Sequence, residues 1–160
     1  DVRAQLVPAL LRFDPNALIH GVFLEEWAGV IRLPRTLSGF IEARDINVAQ
    51  SGGVKFNRAE PGLKEGEGNV PYSRDHYTAG SITAYFNLDL AQIYAFGLGD
   101  AAEQLLIALA LYKVRRFLDT GLHLRSACDL EVIGQPRVKR PSGYELPGSD
   151  DLAAVLPGYI

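Results

Sequence analysis

Residues 31–58 concentrate side chains that suit contacts with a negatively charged polymer. Apolar and β-branched residues indicate a long strand, and a glycine pair after Ser51 predicts a sharp turn at its end. Cations and amides can neutralise and hydrogen-bond phosphates without reading a base sequence. The stretch therefore predicts a surface that follows a phosphate backbone, with a solvated edge strand as the equal alternative. The predicted contact residues here are Arg32, Arg35, Arg44, Ser51, Gly52, Gly53, Lys55, Asn57 and Arg58.

A second group of aromatic and basic residues follows within the same part of the chain. Arg74 is interleaved with the aromatic residues Tyr72, His76 and Tyr77. Aromatic rings that stack on bases, next to cations that hold phosphates, are typical of proteins that bind single-stranded nucleic acid. The other interpretation is that these rings only fix the segment to its own domain.

Catalytic and metal-binding patterns are weak. His20, His76 and His123 are widely separated, and the single cysteine, Cys128, argues against a structural zinc site. His20 is predicted to lie in a strand as a hydrogen-bonded, half-buried side chain. His123 and Cys128 would be more than about 15 Å apart on one strand, which excludes a nucleophilic pair. We therefore expect no catalytic residue, no metal ligand and no cofactor.

Composition limits the class of protein. The chain has 160 residues, of which 48% are hydrophobic, and its net charge is −3. These values favour one globular domain over 1–160, and the acidic balance means that any nucleic-acid surface must be local. A single cysteine favours the reducing cytoplasm, and no apolar run is long enough to predict a membrane span. The absence of methionine and a helical opening sequence suggest the C-terminal part of a longer protein.

Hydrophobic periodicity predicts one antiparallel sheet with one packed helix, an α+β fold. The helix at 100–120 is the clearest element, with Asp100 and Glu103 resembling a capping box and Gly121 suited to its end. Segment 51–80 lacks periodicity and is predicted to be an ordered insertion. The remaining predicted elements are an opening helix to residue 13, strands at 17–27, 30–49, 81–96 and 122–133, and a tail over 134–160 with a helical turn at 150–156. A strand and helix ahead of residue 1 would complete a βαββαβ pattern.

Four stretches carry a resemblance to a known family. They are LIHGVFLEEWAGVIRLPRTLSGFIEARDI, SGGVKFNR, GNVPYSRDHYTAGSITAYFNLDLAQIYAFGLG and AAEQLLIALALYKVRRFLDTGLHLRSACDLE. Over about residues 8–133 the chain resembles the Cas-seven-type RAMP protein, the backbone subunit of type I-G (formerly I-U) CRISPR effector complexes. The resemblance implies a core like the RNA-recognition fold and a thumb-like insertion, which we match to 51–80. It also implies an RNA-binding role in antiviral defence, within a ribonucleoprotein.

The resemblance implies several partners. They are a CRISPR guide RNA, target DNA reached through that guide, neighbouring copies of this chain and other subunits of the effector complex. The family's first strand and helix have no match here, and neither does the glycine-rich loop of many RAMP proteins. Two alternatives stay open: a RAMP-type endoribonuclease that uses His76 with Arg74, and a structural domain that binds no nucleic acid.

Overall fold

The computed structural model describes residues 2–25, 31–56, 69–125 and 128–159. These residues form helices α1 to α5, strands β1 to β6 and one final 3-10 turn. In chain order the elements are α1 Val2–Phe13, α2 Pro15–His20, β1 Val22–Leu24, β2 Ile31–Leu33, β3 Leu37–Phe56, β4 Asn69–Leu88, α3 Leu90–Tyr94, α4 Asp100–Asp119, β5 Leu122–Arg125, β6 Cys128–Leu130, α5 Ser149–Val155 and the 3-10 turn Leu156–Tyr159.

The chain divides into two compact units. The first comprises Asp1–Gly39 and Phe86–Ile160, and the second is Phe40–Tyr85. The sequence had suggested one domain with an insertion over 51–80, so the second unit begins earlier and ends later than that insertion.

The hydrophobic core of the first unit forms around α4. Leu106 and Ala110 of this helix are buried against Leu18 and Ile19 of α2 and Ile93 of α3. Val7 of α1 and Leu33 of β2 belong to the same cluster. Burying apolar side chains of this size provides the main driving force for folding, at about 1.5–3 kcal/mol each.

Helix α2 occupies the first part of the segment predicted as a strand at 17–27, so that prediction was wrong for residues 17–20, whereas residues 22–24 form β1. Asp14 caps the helix because its side chain accepts a hydrogen bond from the backbone N–H of Asn16 (3.2 Å), and Pro15 fits the first helical position. These local signals outweigh the strand preference of Ile19. The helix ends at Gly21, which has a φ of 83° and no room for a side chain, since a Cβ would lie 2.9 Å from the carbonyl oxygen of Leu33.

The strands predicted at 17–27 and 30–49 follow each other across a break at Gly29, an order that predicts a hairpin, and this hairpin is confirmed with shorter strands. β1 and β2 pair in antiparallel fashion, with Val22 opposite Leu33 and Leu24 opposite Ile31. The predicted strand at 30–49 is interrupted at 34–36, and its second part becomes β3. Thr36 lies in this interruption and is 2% exposed.

Thr36 connects three segments of the first unit through hydrogen bonds. Its backbone N–H donates to the Ile19 carbonyl (3.0 Å), and its own carbonyl accepts from the Asp89 N–H (2.8 Å). Its hydroxyl donates to the carbonyls of Leu18 and Ile19 at 3.3 and 3.4 Å. The end of α2, the start of β3 and the end of β4 are therefore tied together at one buried residue.

The long helix predicted at 100–120 is confirmed as α4, with a different cap. Gly99 is the N-cap residue and offers no side-chain hydrogen bond, so Asp100 lies inside the first turn instead of capping it. Asp100 and Glu103 still place negative charge at the positive end of the helix dipole. Gly121 follows the C-cap residue Thr120 with a φ of 77°, as its sequence position predicted.

Two further predicted strands were wrong in part. Residues 90–94 form α3 rather than the end of a strand, because Asp89 caps it by accepting from the Gln92 N–H at 3.0 Å. The strand predicted at 122–133 is instead a small antiparallel hairpin of β5 and β6. The helical turn predicted at 150–156 is present as α5 and the following 3-10 turn.

The fold is α+β with antiparallel strand pairs, as predicted at that level. The expected single sheet with one packed helix is not what the described residues form. Their six strands make three separate two-stranded ladders, β1–β2, β3–β4 and β5–β6, and they include five α-helices. The difference arises where capping residues such as Asp14 and Asp89 convert predicted strand segments into helices.

Candidate nucleic-acid interface

The second unit is built from the longest strands of the protein. β3 and β4 each have 20 residues, which corresponds to about 66 Å of extended chain. The two strands are antiparallel. Phe40, near the start of β3, stacks on Tyr85 near the end of β4, whereas Gly53, near the end of β3, lies next to Tyr72 near the start of β4. We call the described residues 40–56 and 69–85 the ribbon.

The glycine pair predicted to turn the chain lies inside the ribbon. Ser51, Gly52 and Gly53 continue β3 as far as Phe56, so the predicted turn at this point was wrong. Residues 69–80 were predicted to belong to an ordered insertion without strand periodicity, but they form part of β4. The role of Gly53 is instead to leave room for an aromatic ring. A Cβ at this position would lie 2.8 Å from the Tyr72 hydroxyl oxygen and 3.0 Å from its Cζ atom.

Tyr72 is held on its own strand as well. The guanidinium carbon of Arg74 lies 5.5 Å from the centre of the Tyr72 ring, a cation–π arrangement between positions on the same face of β4. The ring therefore contacts a glycine across the ladder and an arginine along the strand. Both contacts restrict it before any partner binds.

Alternation along β4 places Tyr72, Arg74 and His76 on one face of the ribbon. All three side chains are exposed. Their ends span about 13 Å of strand, at about 3.3 Å per residue. We call these three residues the Tyr72 row. They are the predicted RNA-contact residues that lie on β4.

The opposite face carries a different set of contacts. Phe40 stacks on Tyr85 with ring centres 4.8 Å apart. Glu42 accepts a hydrogen bond from Tyr85 Oη at 3.5 Å and forms an ion pair with Arg44 at 2.9 Å. The charge of Arg44 is thus already opposed by a carboxylate, which weakens it as a phosphate ligand compared with Arg74.

The regular geometry of β3 is interrupted at Asp45, whose φ is 55°. Residues other than glycine adopt this conformation infrequently, although Asp and Asn do so more easily than most. Across the ladder is Gly80, where a Cβ would lie 3.0 Å from the Asp45 Cβ. The small residue on β4 therefore accommodates the irregular residue on β3.

The structure separates the other predicted contact residues. Arg32 and Arg35 belong to the first unit, where the Arg32 guanidinium lies 5.1 Å from the centre of the Phe23 ring. Ser51 and Lys55 are in β3, but their side chains lie outside the described part of the chain. Asn57 and Arg58 lie outside the described residues altogether.

The ribbon exposes apolar groups on both strands. Val48 is 62% exposed and Tyr77 is 67% exposed, and Ile46 and Ile82 are also open to solvent. Two-stranded ladders gain little stability in water without a packing partner. Exposed apolar side chains along such a ladder therefore indicate a surface that binds a partner.

One polar cluster of the first unit was missed from the sequence. Lys113 Nζ of α4 lies 2.7 Å from His20 Nε2 at the end of α2 and also donates to Asn16 Oδ1. Lys113 is 93 positions from His20 and 97 from Asn16 in the chain, so no local spacing could have indicated the cluster. The prediction that His20 lies in a strand was wrong, since it is the last residue of α2 and its side chain is exposed.

Two further features were compared with the described residues of the chain, a metal-binding cluster and a membrane-spanning helix. They contain no group of three His, Cys, Asp or Glu side chains placed to hold a metal ion. Among the described helices, none combines the length and apolar character required to span a bilayer.

No protein-family model matches the chain, and no curated protein sequence is significantly similar to it. A functional proposal therefore depends on the geometry of the ribbon and on the sequence motifs themselves.

Proposed function

We propose that this chain is a guide-RNA-binding backbone subunit of an RNA-guided antiviral complex, and that the ribbon holds single-stranded RNA. The observation that carries the RNA-binding part is the Tyr72 row, an aromatic ring, a guanidinium and an imidazole exposed at alternate positions of one strand. The antiviral part rests on the resemblance to CRISPR backbone subunits.

The chemistry of the Tyr72 row suits RNA in two ways. Tyr72 and His76 offer flat rings on which bases stack, an interaction that tolerates any base. Arg74 offers planar donors to phosphate oxygens. Because such contacts do not read base edges, affinity should depend little on RNA sequence, as required of a subunit that holds guides of many sequences.

The same proposal names the partners of the chain in the complex. Copies of this chain would lie next to one another on a CRISPR guide RNA, together with other effector-complex subunits in the cytoplasm. Target DNA would be contacted through base pairing with the guide. The RNA-recognition-like RAMP core, and the role of a thumb for the insertion at 51–80, belong to this proposal.

A binding experiment with matched variants tests the proposal. Fluorescence anisotropy with a labelled single-stranded RNA should show weaker binding for Tyr72→Ala and Arg74→Ala than for the unmodified chain. Loss of one stacked base costs about 1–3 kcal/mol, or roughly five- to 150-fold in Kd. Arg137→Ala is the charge-matched control, since this exposed arginine lies in the tail outside the ribbon. Equal binding by Arg74→Ala and Arg137→Ala would overturn the assignment.

The endoribonuclease alternative also has an observation in its favour. His76 and Arg74 lie on the same face of β4, two residues apart, so an imidazole and a guanidinium could reach one phosphate. Incubation with RNA in the presence of a metal chelator distinguishes the two functions. The binding proposal requires the RNA to stay intact, whereas cleavage that disappears in His76→Ala would favour the nuclease.

A further inference from the structure

The Lys113 cluster in the first unit has no part in the proposed RNA contacts. It lies where α2 meets α4, and its three members are Asn16, His20 and Lys113. Asn16 and His20 are four residues apart on α2 and so share one side of that helix. Both direct an acceptor atom at the same ammonium group.

The protonation state of His20 follows from this contact. A lysine ammonium has donors only, so His20 Nε2 accepts the hydrogen bond and carries no proton. The neutral imidazole therefore holds its proton on Nδ1. The lone pair at Nε2 points at the proton that Lys113 must lose to become a neutral amine.

Partial burial is the feature of the surroundings that favours that loss. The two hydrogen-bond acceptors of Lys113 are uncharged, an amide oxygen and an imidazole nitrogen, so they solvate the ammonium group without supplying an opposite charge. Partial burial lowers the pKa of Lys113, and the carboxylate of Asp14 opposes that shift. Partial burial also lowers the pKa of His20, followed by the effect of the nearby Lys113 charge, again opposed by Asp14. Asp14 is the anionic group that acts on both residues.

We propose that Lys113 is a site of acylation by small acyl thioesters, with His20 as its built-in base. In the reaction the Lys113 ammonium first passes a proton to His20 Nε2. The free amine attacks the acyl carbon, the N–C bond forms, the C–S bond breaks and the thiol group leaves as a thiolate. His20 takes up one proton and the amide nitrogen releases its second proton to the thiolate or to water, so no oxidant or further reactant is needed.

Acylation would change the contact between two helices. The product amide is uncharged and keeps only one N–H, whereas the ammonium donates to both Asn16 and His20. One of the two hydrogen bonds that join α2 to α4 at this point is therefore lost. His20, relieved of the adjacent positive charge, would also become easier to protonate.

Mass spectrometry of the full chain treated with the thioester S-acetyl-N-acetylcysteamine tests the proposal. At neutral pH, Lys113 should acquire the acetyl group several-fold faster than Lys139, an exposed lysine of the tail that serves as the internal reference. In His20→Gln, which retains a hydrogen-bond acceptor but no base, the Lys113 rate should fall towards the Lys139 rate.

A second measurement needs no variant. As the pH is lowered through the titration of His20, acetylation of Lys113 should decline more steeply than that of Lys139 in the same samples, because protonated His20 cannot accept a proton. The proposal is overturned if Lys113 reacts no faster than Lys139, if His20→Gln leaves their ratio unchanged, or if the two pH profiles are parallel.

Discussion

The phenol ring of Tyr72 lies against Gly53 of the neighbouring strand, so closely that a Cβ at position 53 would come within 2.8 Å of the hydroxyl oxygen. A contact of this length cannot be tolerated without movement of the ring. Tyr72 is thus positioned by the absence of a side chain across the ladder, much as aromatic residues cover glycines in other sheets.

Replacement of Gly53 by alanine should therefore act through Tyr72. We expect the ring to be displaced and its stacking with Arg74 to be lost, so that RNA binding weakens about as much as in Tyr72→Ala. The thermal midpoint of the α4 core should stay close to that of the unmodified chain. Gly158→Ala is the matched control, since no atom lies within 4 Å of the Cβ it would add. Unchanged RNA affinity in Gly53→Ala would show that the ring position is unimportant.

The salt dependence of RNA binding should separate the two described arginines of the ribbon. Arg44 is paired with Glu42 at 2.9 Å, whereas Arg74 lies over the Tyr72 ring. We expect Arg74→Ala to reduce the slope of log affinity against log salt by about 0.7, the value for one phosphate contact on a single strand. Arg44→Ala should change the slope less. Equal reductions would mean that the Glu42 pair opens when RNA binds.

The buried position of Leu106 makes it a test of the first unit. Its side chain is 1% exposed within the core around α4. Leu106→Ala should lower the free energy of unfolding by about 2–5 kcal/mol, because the deleted methyl groups leave a cavity. Urea denaturation followed by far-ultraviolet circular dichroism measures this change. Leu90→Ala removes the same atoms from a 38% exposed side chain and should cost much less.

Thr36 should matter to stability through its hydroxyl group. Thr36→Val preserves the shape of the side chain but removes the donor to the Leu18 and Ile19 carbonyls. We expect a loss of about 1–3 kcal/mol in the free energy of unfolding, because both carbonyls then lose a buried partner. Thr78→Val is the control, since its hydroxyl bonds to the Asn47 carbonyl at an exposed site. A cost no greater than that of the control would remove Thr36 as an anchor of these segments.

The lowered pKa of His20 predicts a dependence of stability on pH. Since the unfolded chain binds this proton more readily than the folded one, protonation favours unfolding. The stability that depends on neutral His20 is fully present above the ordinary histidine pKa of 6.5 and is lost as the pH falls through the lower folded-state pKa. His20→Gln should therefore show a flatter profile of unfolding free energy below this pH. Profiles of equal slope would contradict the environment assigned to His20.

The elements predicted correctly are those determined by neighbouring residues. α4 follows from its long apolar run, with Gly121 marking its end, and the pairing of β1 with β2 follows from two short apolar runs on either side of a break. α2 was missed because apolar residues such as Ile19 suit both states, and the decision came from the capping contact of Asp14. Sequence periodicity alone does not weigh a single capping hydrogen bond against strand preference.

The candidate sites also contain features that the sequence indicated and features that only the packing of the chain reveals. Tyr72, Arg74 and His76 were grouped from the sequence as neighbouring aromatic and basic residues, but their common face depends on β4, which the sequence did not predict at 69–80. The continuation of β3 through Gly52 and Gly53 could not be predicted, since it depends on a ring supplied from β4. The contact between His20 and Lys113 joins two helices that only the packing of the first unit brings together.

The ribbon has a consequence for the behaviour of the free protein. Within the described residues, neither β3 nor β4 pairs with a third strand, so each presents an outer edge of backbone N–H and C=O groups. Such edges can recruit strands from other molecules, and charged side chains are a common protection against this. Arg44 and Asp45 on β3, with Arg74 and Asp75 on β4, give both edge strands charged side chains. Arg74, which we propose to hold phosphate, is thus also one of the charges that protect the edge strands of an unoccupied ribbon.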